Sequence, residues 1–131
     1  MNELPEFEAS RLARERAAQA VTGELTLQRC PDCGKIQYPF RELCEHCLSD
    51  GLYWSRVERN GMVIEAVRVH ASMHPFFRDH APWEICSVAL DAGPRVIAHC
   101  RDAGIESGVQ VVVSDEHVGP AHCVLVARIR A

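Results

Sequence analysis

The first residues with a readable pattern are 6–22, "EFEASRLARERAAQAVT", where alanine is frequent. That composition predicts a helix: Pro5 suits its first turn, Glu6 and Glu8 suit the positive end of its dipole, and Gly23 suits its stop. Its apolar face, with Leu12 and Val21, is thin, so the helix needs a surface beyond its own tail. "ELTLQR" then alternates as a short strand. From Trp54 onward the chain is β-rich. "GMVIEAVRVH" (61–70) changes phase, with Glu65 polar at an odd position and Arg68 and His70 at even ones. A strand with one inward face does this only through a bulge or bend, expected near Ala66. "EICSVALD" and "PRVIAHC" flank the turn-rich "DAGP" as a hairpin, and "VQVVVSDE" (109–116) and "HCVLVARIR" (122–130) follow. Five strands, the first bent and long enough to serve two sheets, predict a small barrel of the OB type.

Between helix and barrel stands "RCPDCGKIQYPFRELCEHC", with the pairs Cys30/Cys33 and Cys44/Cys47 separated by ten residues. Each C-x2-C lets one tight turn deliver two thiolates, and four thiolates at about 2.3 Å make a tetrahedral Zn2+ site. Iron fits the same ligands, with zinc favoured. Pro31 pre-sets the first turn and Gly34 supplies its positive φ, whereas Leu48 stands at the matching place in the second. His46 competes as a ligand only from inside the second pair; an exposed role is expected. Four thiolates leave no open position for water or substrate, so the expected metal is structural.

Composition narrows what such a clasp can serve. The 131 residues suit one modest domain, or a small module fused to one, and contain no apolar run near the length that spans a bilayer. The N-terminus lacks a secretory pattern, and seven cysteines are an odd number, which favours a reducing, cytoplasmic setting over a disulfide framework. The formal charge is −4. Between Cys30 and Tyr53, Asp32, Glu42, Glu45 and Asp50 oppose only Lys35 and Arg41, so the ribbon repels phosphate backbones. Nucleic acid is therefore not the expected partner, nor is a membrane.

No catalytic residue is assigned. His70, His74 and His80 lack a metal-binding grammar, and Cys86, Cys100 and Cys123 fall within strand patterns as buried thiols. His99 and Cys100 are neighbours on one strand, so they point to opposite faces. Ser/His/Asp grammar, a phosphate-cradling loop and H-E-x-x-H are missing. The long loop "HASMHPFFRDHAPW" carries Phe76, Phe77 and Trp83, which either plug the barrel mouth or face a partner or acyl chain.

From about Gly23 to the C-terminus the chain resembles a family of small proteins that join a rubredoxin-like zinc ribbon to an OB-fold. This family was long labelled a domain of unknown function and is associated with acyl-CoA metabolism. The resemblance rests on "GELTLQRCPDCGKIQYPFRELCEHC", on "HPFF" and "DHAPWE" (Trp83 replacing a more usual Tyr), and on "GPRVIAHC" and "IESGVQVVV". Leu48, in place of the knuckle glycine, departs from the pattern. The resemblance implies a mainly β chain divided into an N-terminal helix (1–23), a zinc ribbon (24–53) and a five-stranded OB-fold (54–131). It also implies a non-catalytic accessory subunit, in hetero-oligomer with a thiolase-like enzyme that cleaves or forms C–C bonds on an acyl-CoA. Family partners include ketoacyl-CoA thiolases, sterol side-chain aldolases and acyltransferases, and the partner supplies the catalytic groups. The implied assignments are Cys30, Cys33, Cys44 and Cys47 for Zn2+, and His74, Phe76, Phe77 and Trp83 for the loop that faces the partner or the CoA thioester. The alternatives are a nucleic-acid-binding ribbon/OB module and a stand-alone acyl-CoA-binding protein.

Overall fold

The computed structural model describes residues 4, 10–70, 73, 75–80 and 82–130, without the side chain of Phe77. The chain is mainly β. Helix α1 (Arg11–Gln19) begins at Ser10, whose hydroxyl accepts the Ala13 N–H at 3.1 Å, and ends where Ala20 turns extended. The expected earlier start, with Pro5, Glu6 and Glu8, lies outside the described residues. Val21 is past the helix end and exposed, so the buried contacts of α1 come from Arg16 and Ala17 instead.

Strands β1 (Thr26–Arg29), β2 (Ile36–Gln37) and β3 (Tyr53–Arg56) form an antiparallel sheet in the order β2-β1-β3. Tyr53–Arg56 thus pairs with the ribbon strand, Trp54 opposite Gln28, although the sequence pattern groups Trp54 with the barrel. Phe40 meets the Trp54 ring edge-on at 5.1 Å, which gives β3 a reason to stay with the ribbon.

The remaining strands are β4 (Asn60–Val69), β5 (Trp83–Leu90), β6 (Arg95–Cys100), β7 (Gln110–His117) and β8 (Cys123–Ile129). They close into a five-stranded, OB-like barrel in the order β4-β5-β6-β8-β7, with β7 returning to β4. The phase change in β4 is a bulge between Val63 and Glu65, two residues earlier than the Ala66 expectation. It lets β4 pair with β7 through Asn60–Met62 and with β5 from Gly61 to Val69, interrupted at Ile64. The β5–β6 hairpin turns at Gly93, whose φ of 125° only glycine adopts easily.

Val63, Val88, Val96, Val111, Val113 and Leu125 point inward and are buried. Leu25 and Leu27 of the ribbon lead-in are fully buried in the same core, so ribbon and barrel share one apolar interior. The long β4–β5 connection is not a plain loop: Pro75–Asp79 forms a short helix, α2. No helix among the described residues is long and apolar enough to cross a membrane.

Candidate metal centre

The two cysteine knuckles have the same construction. In the first, the Gly34 N–H donates to the Cys30 carbonyl and the Cys30 N–H to the Lys35 carbonyl, both at 2.9 Å. In the second, the Leu48 N–H donates to the Cys44 carbonyl and the Cys44 N–H to the Ser49 carbonyl, again at 2.9 Å. Gly34 has φ 78° and Leu48 has φ 64°. The leucine therefore takes the left-handed conformation that its glycine counterpart takes freely, at a strain of about 1–2 kcal/mol. Its substitution costs energy without changing the geometry.

The four Sγ atoms lie within 4.8 Å of one another. Cys30 and Cys47 are 3.5 Å apart, and Cys33 and Cys44 3.6 Å. A tetrahedron with metal–sulfur bonds of about 2.3 Å has sulfur–sulfur edges of about 3.8 Å, so this packing accepts Zn2+ with little rearrangement. Cys30 and Cys44 are buried while Cys33 and Cys47 face outward. His46 is exposed, as expected, and its backbone N–H donates to the Cys44 Sγ at 3.4 Å.

Thiols packed this closely cannot all ionise freely. The backbone N–H of Cys33 favours the Cys30 thiolate and brings its pKa down to about 6, and the Cys47 N–H lowers that of Cys44. At Cys47 the Ser49 N–H pulls downward, but the neighbouring thiols and burial prevail and push it up to about 12. Cys33 is raised in the same way against the Lys35 N–H. A divalent cation removes this conflict because it stabilises all four thiolates together.

A family model described as the ChsH2 rubredoxin-like zinc ribbon domain matches residues 17–52. A DUF35 domain-containing scaffold protein of Methanocaldococcus jannaschii is 29% identical over 87 residues, 63% of this chain and 61% of the relative. The match thus spans about three-fifths of that relative's length. A solved chain described as Ltp2-ChsH2(DUF35) aldolase is 25% identical with a TM-score of 0.73, covering 95% of this chain and 98% of that one. The ribbon segment thus matches a zinc-ribbon family model, and the chain is similar to DUF35 proteins in sequence and in fold. Its four clustered cysteines fit the structural Zn2+ of such a ribbon.

Elsewhere in the chain the aromatic residues of the β4–β5 connection pack on one another. Phe76 stacks on the His80 ring at 4.2 Å and meets Trp83 edge-on at 5.4 Å. Trp83 Nε1 donates to His99 Nδ1 at 3.0 Å, which assigns the His99 proton to Nε2. Burial, then the nearby Arg101, lowers the His99 pKa. Phe76 and Trp83 are half-buried, His70 is exposed, and His80 Nδ1 lies 2.7 Å from the Phe76 carbonyl. His74 lies outside the described residues, as does the Phe77 side chain. Cys86 and Cys123 are buried and Cys100 is half-buried.

One arrangement has no signal in the sequence. Asp115 on β7 is fully buried and forms an ion pair with Arg16 of α1. Its other oxygen accepts the Thr26 N–H of β1 at 2.8 Å, while Arg16 Nε donates to the Thr26 carbonyl at 3.0 Å. The Asp115 backbone also bonds Gly23 and Glu24. Arg16 lies over the Phe40 ring, 5.1 Å from its centre. A single carboxylate therefore ties helix, ribbon and barrel together. Arg16 and Asp115 are separated by 99 positions, beyond the reach of any local pattern.

Proposed function

We propose that this chain is a non-catalytic accessory subunit, of the DUF35 type, in a thiolase-superfamily complex acting on an acyl-CoA. The observation that carries the reading is a likeness over 95% of its length to a chain described as an aldolase with ChsH2. The metal chemistry agrees. Cys30, Cys33, Cys44 and Cys47 hold Zn2+ with all four positions occupied by sulfur, so the ion shapes the ribbon and has no site for a substrate. Unpaired thiols suit a reducing cytoplasm.

In this reading the ribbon and helix present a fixed surface, and His74, Phe76, Phe77 and Trp83 face the partner or its substrate passage. The partner contributes the nucleophile and the acid–base groups for C–C cleavage or formation on the thioester. The test is a native pull-down of the tagged chain from its own cells, with identification of co-purifying proteins. A thiolase-like protein in fixed ratio supports the reading, and its loss with Phe76→Ala would locate the loop in the interface. Nucleic acid, or the chain alone, would overturn it.

A further inference from the structure

A cleft of about 540 Å³ lies between the first knuckle and the β5–β6 turn. The ribbon wall carries Arg29 and Lys35 with Ile36 and Tyr38, and the barrel wall carries Arg95 beside Gly93 and Pro94. Glu45 is the one carboxylate in the lining, and it sits 3.6 Å from Lys35. Among the described residues no acidic side chain pairs with Arg29 or Arg95. Three cations thus face one carboxylate, in a protein whose net charge is −4.

We infer that this cleft binds a small phosphorylated ligand, one carrying a diphosphate or a comparably charged phosphate group. Arginines lining both walls offer the planar donor forks that phosphate oxygens accept in pairs. The volume falls within the range of small-molecule sites, and Ile36, Tyr38 and Pro94 give it an apolar side. The overall negative charge opposes a long polyanion much more than a compact one, which favours a small ligand over a nucleic-acid strand. The ligand bridges ribbon and barrel, and the zinc-bearing knuckle that holds Lys35 completes the site. This inference stands apart from the accessory-subunit reading, because the free chain is sufficient to test it.

The test is an NMR titration of the zinc-loaded, 15N-labelled chain with inorganic pyrophosphate, then with ADP. Saturable shifts confined to amides near residues 34–36 and 92–95 are expected. Arg95→Gln weakens binding about tenfold and the Arg29→Gln/Arg95→Gln pair further, while Arg128→Gln, beyond the opposite end of β6 from Arg95, changes nothing. Arg95 is exposed, so its substitution leaves the fold intact and keeps the test decisive if Arg29→Gln does not. Tighter binding of ADP than of pyrophosphate supports a nucleotide ligand, and equal binding supports the diphosphate group alone. Absence of saturation, affinity unchanged in the Arg95→Gln chain, or shifts spread over all surface arginines would overturn the inference. So would a single-stranded oligonucleotide that displaces ADP and shifts residues around Arg56 and Arg59 instead.

Discussion

Asp115 shows how much one side chain can carry. Its carboxylate is removed from water and held by a guanidinium and a backbone N–H from two other parts of the chain. Removing one member of a buried pair strands the other, at about 3–5 kcal/mol. Asp115→Ala is therefore expected to lower the unfolding free energy by about that amount in urea denaturation, and Arg16→Ala by a similar amount. The double variant should fall short of the sum, since the second loss no longer strands a charge. His99 gives a pH-dependent counterpart. Its folded pKa is below the ordinary value near 6.5, so below that value the unfolded chain takes up a proton that folded His99 resists. Stability contributed by neutral His99 is present above that value and is lost as pH falls beneath it. His99→Gln is expected to flatten the acid side of the stability curve by at most about 1.4 kcal/mol per pH unit, measured against the wild-type chain.

Among the elements, β4 leaves no room at Gly61, where it lies against β5. A Cβ added at Gly61 would lie 2.7 Å from Val88 Cγ1 and 2.8 Å from the Ala89 carbonyl oxygen. One of these neighbours is backbone in the paired strand, so the strand itself must shift. Gly61→Ala is expected to destabilise the chain by about 1–3 kcal/mol, read from the thermal midpoint. Much at this scale was legible in the sequence. β-rich runs bounded by turn residues identified the five barrel strands, although β7 and β8 are buried on both faces at Val113–Asp115 and Leu125–Ala127, and the C-x2-C spacing identified the knuckles because the turn itself dictates it. The bulge was detectable from Glu65, Arg68 and His70, but its position was not, because Ile64 is apolar and masks the slip. Helix α2 is only five residues long and gives no period to read. The place of Trp54 was hidden as well: it depends on Phe40 and Gln28, contacts that only the folded ribbon creates.

On the scale of the whole molecule, the zinc centre and the barrel core should respond differently to metal removal. The knuckles span residues 30–50 and have few buried apolar groups of their own, whereas Leu25 and Leu27 remain anchored in the barrel interior. A strong chelator is expected to release Zn2+ and raise amide exchange across residues 30–50 while the barrel strands stay protected. Cys44→Ser should reproduce that pattern without chelator; full metal content in the variant would remove Cys44 from the ligand set. The unequal response follows from where the apolar contacts lie, not from the number of parts.

The barrel itself has one short joint. Strands β6 and β8 run parallel and are registered only through His99 with Val126 and Cys100 with Ala127, with Arg101 N–H adding a bond to the Ala127 carbonyl at 2.9 Å. Every other neighbouring pair in the ring is antiparallel and longer. Helix α1 packs against the start of β8, where Ala17 and Ala20 meet Cys123. In a cask built this way the staves hold least firmly at a single seam, and the N-terminal helix lies as a partial hoop close beside it.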